Sequence, residues 1–458
     1  MLIEFRVQNH RSIGQEQSMT MEAMKRLGDD DDPRPRKVKG YEKQLLPVAA
    51  LYGANASGKS NFLAAMGFMR DAVEHSFRTW SPDEGIEREP FAWGPLRTEP
   101  SLYEISMLID DVRYEYGFVL NDEWILEEWL LAWPKKVKKR LFTRELDKIY
   151  CKGLSGDNKI IERSTRRNAL FLSTAAQFDH PQLKPVLQWF RGFTMIRVGS
   201  NSNHNSRTIS PTIALSLLMK ADKQDKHRLL LMKSMGFDES MISQCKEMIE
   251  KADFGIHDIR VVDKEYLVDG EPKKMARLEF KHDSKDESSW LPFHEESSGT
   301  KSMIILSPLF FRALNHGDTV VVDELETALH PLLALEIIKS FNDPRTNPNH
   351  AQLIFSTHDT NLLDSILEKK PLRRDQIWLT EKKLTGQTEI FPHTDFHASN
   401  EENRERGYLL GRYGAVPFLH DLLSSDSEHD HVPDETTKKS VEKHQSHPSE
   451  KNVDPDHS

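Results

Sequence analysis

Cysteine is scarce: Cys151 and Cys245 are the only two among 458 residues. They lie far apart and lack metal-ligand spacing, so they suggest neither a disulfide framework nor a zinc site. They read as reduced thiols of a cytosolic protein. Long apolar runs are also missing. No stretch of 18 apolar residues occurs, which argues against a membrane-spanning helix. Met1-Leu-Ile-Glu-Phe-Arg-Val alternates like a strand and lacks the charged start and long apolar run of a signal peptide. The expectation is a cytoplasmic protein with no membrane partner. An excess of basic charge is absent as well. The 62 Lys and Arg are outnumbered by 72 Asp and Glu, a net charge of −10, so no global field advertises nucleic acid. Part of the acidic excess sits at the end, where Asp421 to Ser458 carries ten acidic residues and four lysines. Residues 424–458 hold almost no large apolar side chain and read as a disordered tail. No internal repeat is visible.

The most informative stretch is Leu51-Tyr-Gly-Ala-Asn-Ala-Ser-Gly-Lys-Ser-Asn61. Within it, Gly53, Ala54, Asn55, Ala56, Ser57, Gly58, Lys59 and Ser60 spell G-x-x-x-x-G-K-S, the complete phosphate-binding loop. The apolar run Val48-Ala-Ala-Leu51 before it reads as a buried parallel strand, and a helix is expected from about Lys59 to residue 78. In that context the loop's N–H groups form a cradle for anionic oxygens, reinforced by the helix dipole. Lys59 would reach the β- and γ-phosphates of ATP, Ser60 would ligate Mg²⁺, and Asn61 closes the motif.

Elsewhere the pattern alternates between β and α. Residues 2–7 read as a strand, followed by a turn at Asn9-His-Arg-Ser12. Residues 26–44 are polar and read as a mobile surface loop. From about 90 to 150, alternating segments separated by Asp110-Asp111 and Asn121-Asp122 suggest an antiparallel meander. Residues 165–255 look mainly helical, and two short strands are expected at Ile259–Val262 and Arg277–Phe280. After residue 300 the order is helix, strand, helix, strand, with strands at Val320–Asp323 and Gln352–Phe355 and a helix at Leu329–Phe341. Such an alternation implies a parallel sheet.

The second strand group carries further chemistry. Thr319-Val-Val-Val-Asp-Glu324 ends a buried run with two carboxylates. Adjacent carboxylates repel unless a cation or a partner sits between them. With a phosphate loop upstream, Asp323 reads as a Mg²⁺ ligand and Glu324 as the group that polarises an attacking water. His358, just beyond the next strand, would face the crevice at the strands' C-terminal ends and sense the γ-phosphate. Glu296-Ser-Ser-Gly-Thr-Lys-Ser302 opens an apolar helix and offers a second anion-binding N-terminus, which an ordinary Ser-capped helix would equally explain.

These four motifs in this order resemble the ABC-type ATPase heads of the SMC, Rad50 and OLD families. That resemblance implies two heads sandwiching two ATP molecules. Ser297, Ser298 and Gly299 would then contact the γ-phosphate held by the opposite subunit, and Ala328-Leu-His-Pro331 would cross the dimer interface. Arg11 would approach the nucleotide. Two departures stand out. Ser298 replaces the usual glycine of the signature, and no glutamine occurs between Asn61 and Ala176, where these heads place a Mg²⁺ ligand. The separation of 238 residues between Lys59 and Ser297 is too long for a plain transporter ATPase and too short for a long SMC coiled coil.

A closer resemblance, to Rlo-type and abortive-infection-type bacterial ATPases, rests on the phosphate loop, on Glu296–Lys301 and on Gly407-Tyr-Leu-Leu-Gly-Arg-Tyr-Gly-Ala-Val-Pro-Phe418. The fold class implied is α/β, a P-loop ATPase head with an antiparallel β-subdomain and a helical insertion. The expected division is 1–160 and 259–423 for the two halves of the head, 161–258 for the insertion and 424–458 for the tail. The function implied is ATP hydrolysis by a sensor subunit of an anti-phage defence system, forming a homodimer or higher homo-oligomer and controlling a separately encoded nuclease or toxin, Toprim-like or HNH. Residues 359–423 are too few to hold a Toprim domain within the chain. Two alternatives stay open: a DNA-repair or DNA-end clamp, and a scaffold that binds ATP but scarcely hydrolyses it. Lys135, Lys136, Lys138, Lys139 and Arg140 form the most basic run. They read either as a DNA-backbone contact or as lysines that keep a strand edge soluble.

Overall fold

The computed structural model describes residues 1–27, 32–197, 243–244, 247–248, 255–268, 271–282, 289–364, 370–396 and 402–416. Two large sheets face each other across one long helix. The first has seven strands in the order β2-β1-β4-β5-β6-β7-β8. Its members are β1 (Leu2–Gln8), β2 (Gln17–Thr20), β4 (Ser101–Ile109), β5 (Val112–Leu120), β6 (Ile125–Ala132), β7 (Lys139–Glu145) and β8 (Lys148–Tyr150). All its pairings are antiparallel. The expected meander is thus β4 to β8, and the first strand joins its edge.

The second sheet runs β16-β15-β3-β14-β13-β9. It consists of β3 (Val48–Tyr52), β9 (Phe193–Arg197), β13 (Thr319–Asp323), β14 (Gln352–Ser356), β15 (Ile377–Lys382) and β16 (Thr388–Pro392). All neighbours are parallel except the edge pair β15–β16. Every residue of β3 and of β14 is buried. Such strands need apolar side chains on both faces, and the alternation divides them cleanly. Ala49, Leu51, Val321 and Ile354 join the core shared with the antiparallel sheet. Val48, Ala50, Tyr52, Val320, Val322, Leu353 and Phe355 join the core beneath the opposite face.

Helix α1 (Lys59–Thr79) fills the space between the sheets, and Phe62 meets Phe5 of β1 edge-on at 5.5 Å. Short helices α2 (Lys159–Ser164), α3 (Phe171–Gln177) and α4 (Lys184–Gly192) follow the meander. Phe171, Leu172, Val186 and Phe190 belong to the same core as α1. The stretch expected as a helical insertion therefore opens with three helices packed on the head and with β9, the strand that completes the parallel sheet. Residues 198–242, the middle of that stretch, lie outside the described residues, as does the expected tail. The two short strands expected near 259 and 277 form one long hairpin of β10 (Ile256–Val268) and β11 (Glu271–His282), extended by β12 (Trp290–Pro292). Backbone pairing sustains it through the charged residues that ended the apolar signal.

On the outer face lie α5 (Ser298–His316), α6 (Leu325–Ala328) and α7 (Pro331–Asn342). The helix expected at Leu329–Phe341 is found as α7, which starts two residues later because Pro331 takes its first position and the His330 side chain accepts from Leu332 N at 3.3 Å. The loop after residue 32 departs from expectation too. Arg36 is buried and donates to Asn342 O at 2.7 Å, and Arg34 pairs with Asp32 while reaching Lys370 O at 3.0 Å, so this polar stretch is docked on the head. Among the described residues no helix is long and apolar enough to cross a membrane.

Candidate functional site

The phosphate loop joins β3 to α1 as the sequence predicts. Gly53 and Gly58 have φ of 158° and 112°, and Ala56 stands at 60°. A Cβ on Gly58 would run into the Thr388 side chain, and one on Gly53 into Thr380 and Ser57. Gly58, in the left-handed region, is thus needed for its dihedral and for the close approach of β16. A relay of hydroxyls holds the loop. Ser57 Oγ lies 2.6 Å from Thr380 Oγ1, Thr388 Oγ1 donates to Ser57 O at 2.8 Å, and Ser12 Oγ bridges Thr388 Oγ1 and Asn61 Nδ2 at 2.7 Å each. Ser12, Thr380 and Thr388 carry no signal in the sequence, since each meets the loop across a long separation in the chain.

At the α1 N-terminus no side chain caps the helix and no acidic residue occupies its first turn. The first N–H groups of a helix lack intrahelical partners, and a lysine there opposes the dipole. Lys59 is buried and donates to Gly53 O at 2.8 Å and Ala54 O at 3.1 Å. Burial pushes its ammonium down to about 8, against the pull of Glu326, Asp323 and Glu324. A glycine-bounded cradle, an uncapped helix end and a buried cation all fit an anionic phosphate.

Asp323 ends β13 two strands away from β3, yet it meets the loop. Ser60 Oγ donates to Asp323 Oδ1 at 2.9 Å, and Ser356 Oγ, from the end of β14, donates to the same oxygen at 2.6 Å. Ser356 Oγ also accepts from Glu324 N at 2.8 Å. These hard oxygen donors, gathered beside a lysine, fit Mg²⁺. Glu324 is exposed and adopts φ 58°, an uncommon value for a residue with a side chain. His358 is exposed beyond β14, and its imidazole is shifted down by desolvation and by Lys59. Its backbone N–H donates to Glu326 Oε1 at 2.6 Å. Two residues here were not singled out by sequence: Ser356, which stood unused in Phe355-Ser-Thr-His, and Glu326, which shares the acidic run with Asp323 and Glu324.

Other expected residues lie apart from this cluster. Arg11 has φ 51° and is held by Glu89 through both side chain and backbone, while its neighbour Ser12 makes the contact to Asn61. Gln177, the first glutamine after the loop, is exposed at the end of α3. Ser297 caps α5, accepting from Thr300 N at 3.1 Å. Ser297 and Ser298 are exposed, and a Cβ on Gly299 would find only Ser297 Oγ, at 4.0 Å. That end of α5 presents an open surface. Beside Ala328–Pro331, Leu332 is 50% exposed. Lys135, Lys136, Lys138, Lys139 and Arg140 occupy an exposed turn leading into β7, where Lys136 pairs with Glu42 and Lys138 lies 5.5 Å from the Trp133 ring. The Gly407–Phe418 motif begins in α8 (Arg404–Leu409). Tyr408 packs edge-on against Tyr52 at 5.8 Å, Tyr52 donates to Asp359 O at 3.1 Å, and Thr360 Oγ1 donates to Glu405 at 2.7 Å. The described part of the motif is thus packed on the core beside β3 and the segment after β14.

A mostly parallel sheet with the phosphate loop after β3, Asp323 at the end of β13, His358 after β14 and an antiparallel sheet packed over α1 defines a P-loop nucleotide-binding fold. The family described as "AAA domain, putative AbiEii toxin, Type IV TA system" matches residues 48–364, and the chain belongs to it. Solved structures of 12% identity also align. An SMC head bound to the C-terminal winged-helix domain of ScpA covers 87% of this chain and 98% of its own, with a TM-score of 0.43. An SMC head from Thermotoga maritima covers 85% and 98% with a TM-score of 0.37. An SMC head with an extended coiled coil, bound to the C-terminal domain of ScpA derived from Pyrococcus furiosus, covers 90% and 98% with a TM-score of 0.39. No curated protein matches.

Proposed function

We propose that this chain binds and hydrolyses ATP, closing as a dimer around the nucleotide, and that in an anti-phage defence system it controls a separately encoded effector. The observation that carries the reading is the Ser60–Asp323 contact at 2.9 Å, which joins two motifs 263 residues apart into one oxygen-rich corner next to Lys59. Mg²⁺, when bound at Ser60 and Asp323, supplies charge neutralisation between the phosphates. The chain's own residues do the rest. The loop N–H groups of residues 54 to 61 cradle the phosphates, and Lys59 neutralises charge as it develops. Glu324 orients a water in line with the γ-phosphate and accepts its proton. His358, whose pKa is lowered by desolvation and by Lys59, reads the γ-phosphate from the switch side. The exposed Ser297–Gly299 end of α5 serves the nucleotide of the opposite subunit.

The test pairs Glu324→Gln with Mg²⁺-ATP. Hydrolysis is expected to fall at least about a hundredfold while ATP still binds, and the variant should accumulate as a dimer in light scattering. Ser298→Arg should abolish that dimer. Steady hydrolysis by Glu324→Gln would remove the catalytic assignment, and a strictly monomeric trapped state would remove the sandwich. Co-expression with neighbouring genes then tests the effector. A second reading, a DNA clamp, is supported by the exposed basic turn at 135–140. It predicts ATP hydrolysis stimulated by duplex DNA, lost on replacing Lys135, Lys138, Lys139 and Arg140 with Ala.

A further inference from the structure

Three carboxylates lie within four residues at the exit of β13, but only two have a place in the reading above. The third, Glu326, sits in the first turn of α6. One of its oxygens accepts the backbone N–H of His358 at 2.6 Å. The other is buried with no hydrogen-bond partner. A buried carboxylate oxygen without a donor is costly, so its retention beside Asp323 and Glu324 needs a compensating role. Glu324 is tied only weakly to its own helix, through Thr327 Oγ1 at 3.4 Å. His358 is otherwise held by its neighbours in the chain: Thr357 N donates to Leu51 O at 3.0 Å, and Tyr52 donates to Asp359 O at 3.1 Å. The contact from Glu326 is the one that reaches His358 itself from the acidic strand.

We propose that Glu326 is a positioning residue that joins the acidic strand to the switch segment, setting the place of His358 through its backbone N–H while its charge opposes the entering phosphates. The proposal rests on the ATPase-head reading. Its logic separates two properties of one side chain. The oxygen that accepts from His358 N orders the switch and favours turnover. The negative charge adds to those of Asp323 and Glu324 and weakens the affinity for ATP. Glutamine keeps the accepting oxygen and loses the charge; alanine loses both.

The decisive measurement is hydrogen exchange of the full-length protein without nucleotide, read on the segment 357–362 by mass spectrometry. Glu326→Ala should exchange His358 roughly tenfold faster, the scale expected for losing a charge-assisted hydrogen bond, and Glu326→Gln should stay close to the parent. Glu326→Asp, one methylene shorter, should fall between them and serves if the alanine variant does not fold. With Mg²⁺-ATP, Glu326→Gln should bind the nucleotide at least about threefold more tightly with kcat held within threefold. Glu326→Ala should lose about tenfold in kcat. Unchanged exchange in both Glu326→Ala and Glu326→Asp overturns the proposal, and so does a glutamine variant that behaves like alanine in either assay. If the parent protein shows no ATP turnover while the exchange pattern appears as stated, the ATPase reading fails and the structural role of Glu326 stands.

Discussion

Replacing Lys59 with methionine should make the protein more stable while it abolishes the response to ATP. The side chain is buried at a helix N-terminus, where the dipole and the low polarity both disfavour an ammonium. Its pKa falls from 10.5 to about 8, which means the charged form is disfavoured by roughly 3 kcal/mol relative to the unfolded chain. Methionine has similar length and no charge, but it gives up the bonds to Gly53 O and Ala54 O, so a net gain of about 1–2 kcal/mol is expected. The sign follows from linkage. The folded pKa lies below the unfolded one, so the penalty is present in full below pH 8, is relieved as pH rises through 8, and is gone above 10.5. Thermal melts of both proteins without nucleotide, between pH 7 and 10, should show the variant about 1–2 °C higher at pH 7 and the gap closing toward pH 10. Mg²⁺-ATP should then raise the midpoint of the parent and leave the variant unmoved. A variant that melts lower than the parent at pH 7, or a gap that widens with pH, would refute the argument that Lys59 is held under strain for a phosphate.

Gly58→Ala places a Cβ against Thr388 at φ 112°. It should cost about 1–3 kcal/mol in a denaturant melt and eliminate ATP binding in calorimetry. Glu128 is fully buried, takes hydrogen bonds from Tyr116 and from the N–H groups of Phe171 and Leu172, and lies 3.8 Å from buried Arg144. Glu128→Ala leaves that arginine without its counter-charge and should destabilise by about 3–5 kcal/mol, read as a lower urea midpoint. Arg36→Ala removes the buried bond to Asn342 O and should cost about 2–3 kcal/mol, with faster proteolysis in residues 32–45 and little change in kcat.

What the sequence revealed follows a physical rule. Val48–Tyr52, Val320–Val322 and Leu353–Phe355 are continuous apolar runs, and the fold buries them on both faces. The phosphate loop, Asp323 and Glu324 were legible because they adjoin those runs. Phe193–Arg197 was not read as a strand, because it follows a helix directly and its strand partner among the described residues, β13, begins at Thr319. The docked loop around Arg36 looked polar, and its acceptors are main-chain carbonyls at Phe341 and Asn342 that no side-chain pattern announces. The hydroxyls of Ser12, Thr380 and Thr388 were invisible for the same reason: serine and threonine mark a turn or a strand in sequence, and only the fold turns them toward Ser57 and Asn61.

Those hydroxyls bear on affinity as well as on shape. A glycine-rich loop that ordered only when ATP arrived would lose binding energy to that ordering. Here Ser57 is held from two strands of the parallel sheet, through Thr380 on β15 and Thr388 on β16, and Asn61 is held from Ser12 in the antiparallel sheet's first connection. The two sheets therefore brace opposite ends of one loop. Lys59 and the bare N–H groups of α1 are kept in a conformation that is poor for the free protein and suited to a phosphate. The same bracing makes the loop a reporter of how the sheets sit on α1. Helix α8 adds a third brace, since Tyr408 packs on Tyr52 and Glu405 accepts from Thr360 just past His358. Ser12, Glu405 and Tyr408 thus hold the loop and the segment after His358 from parts of the sequence far from both.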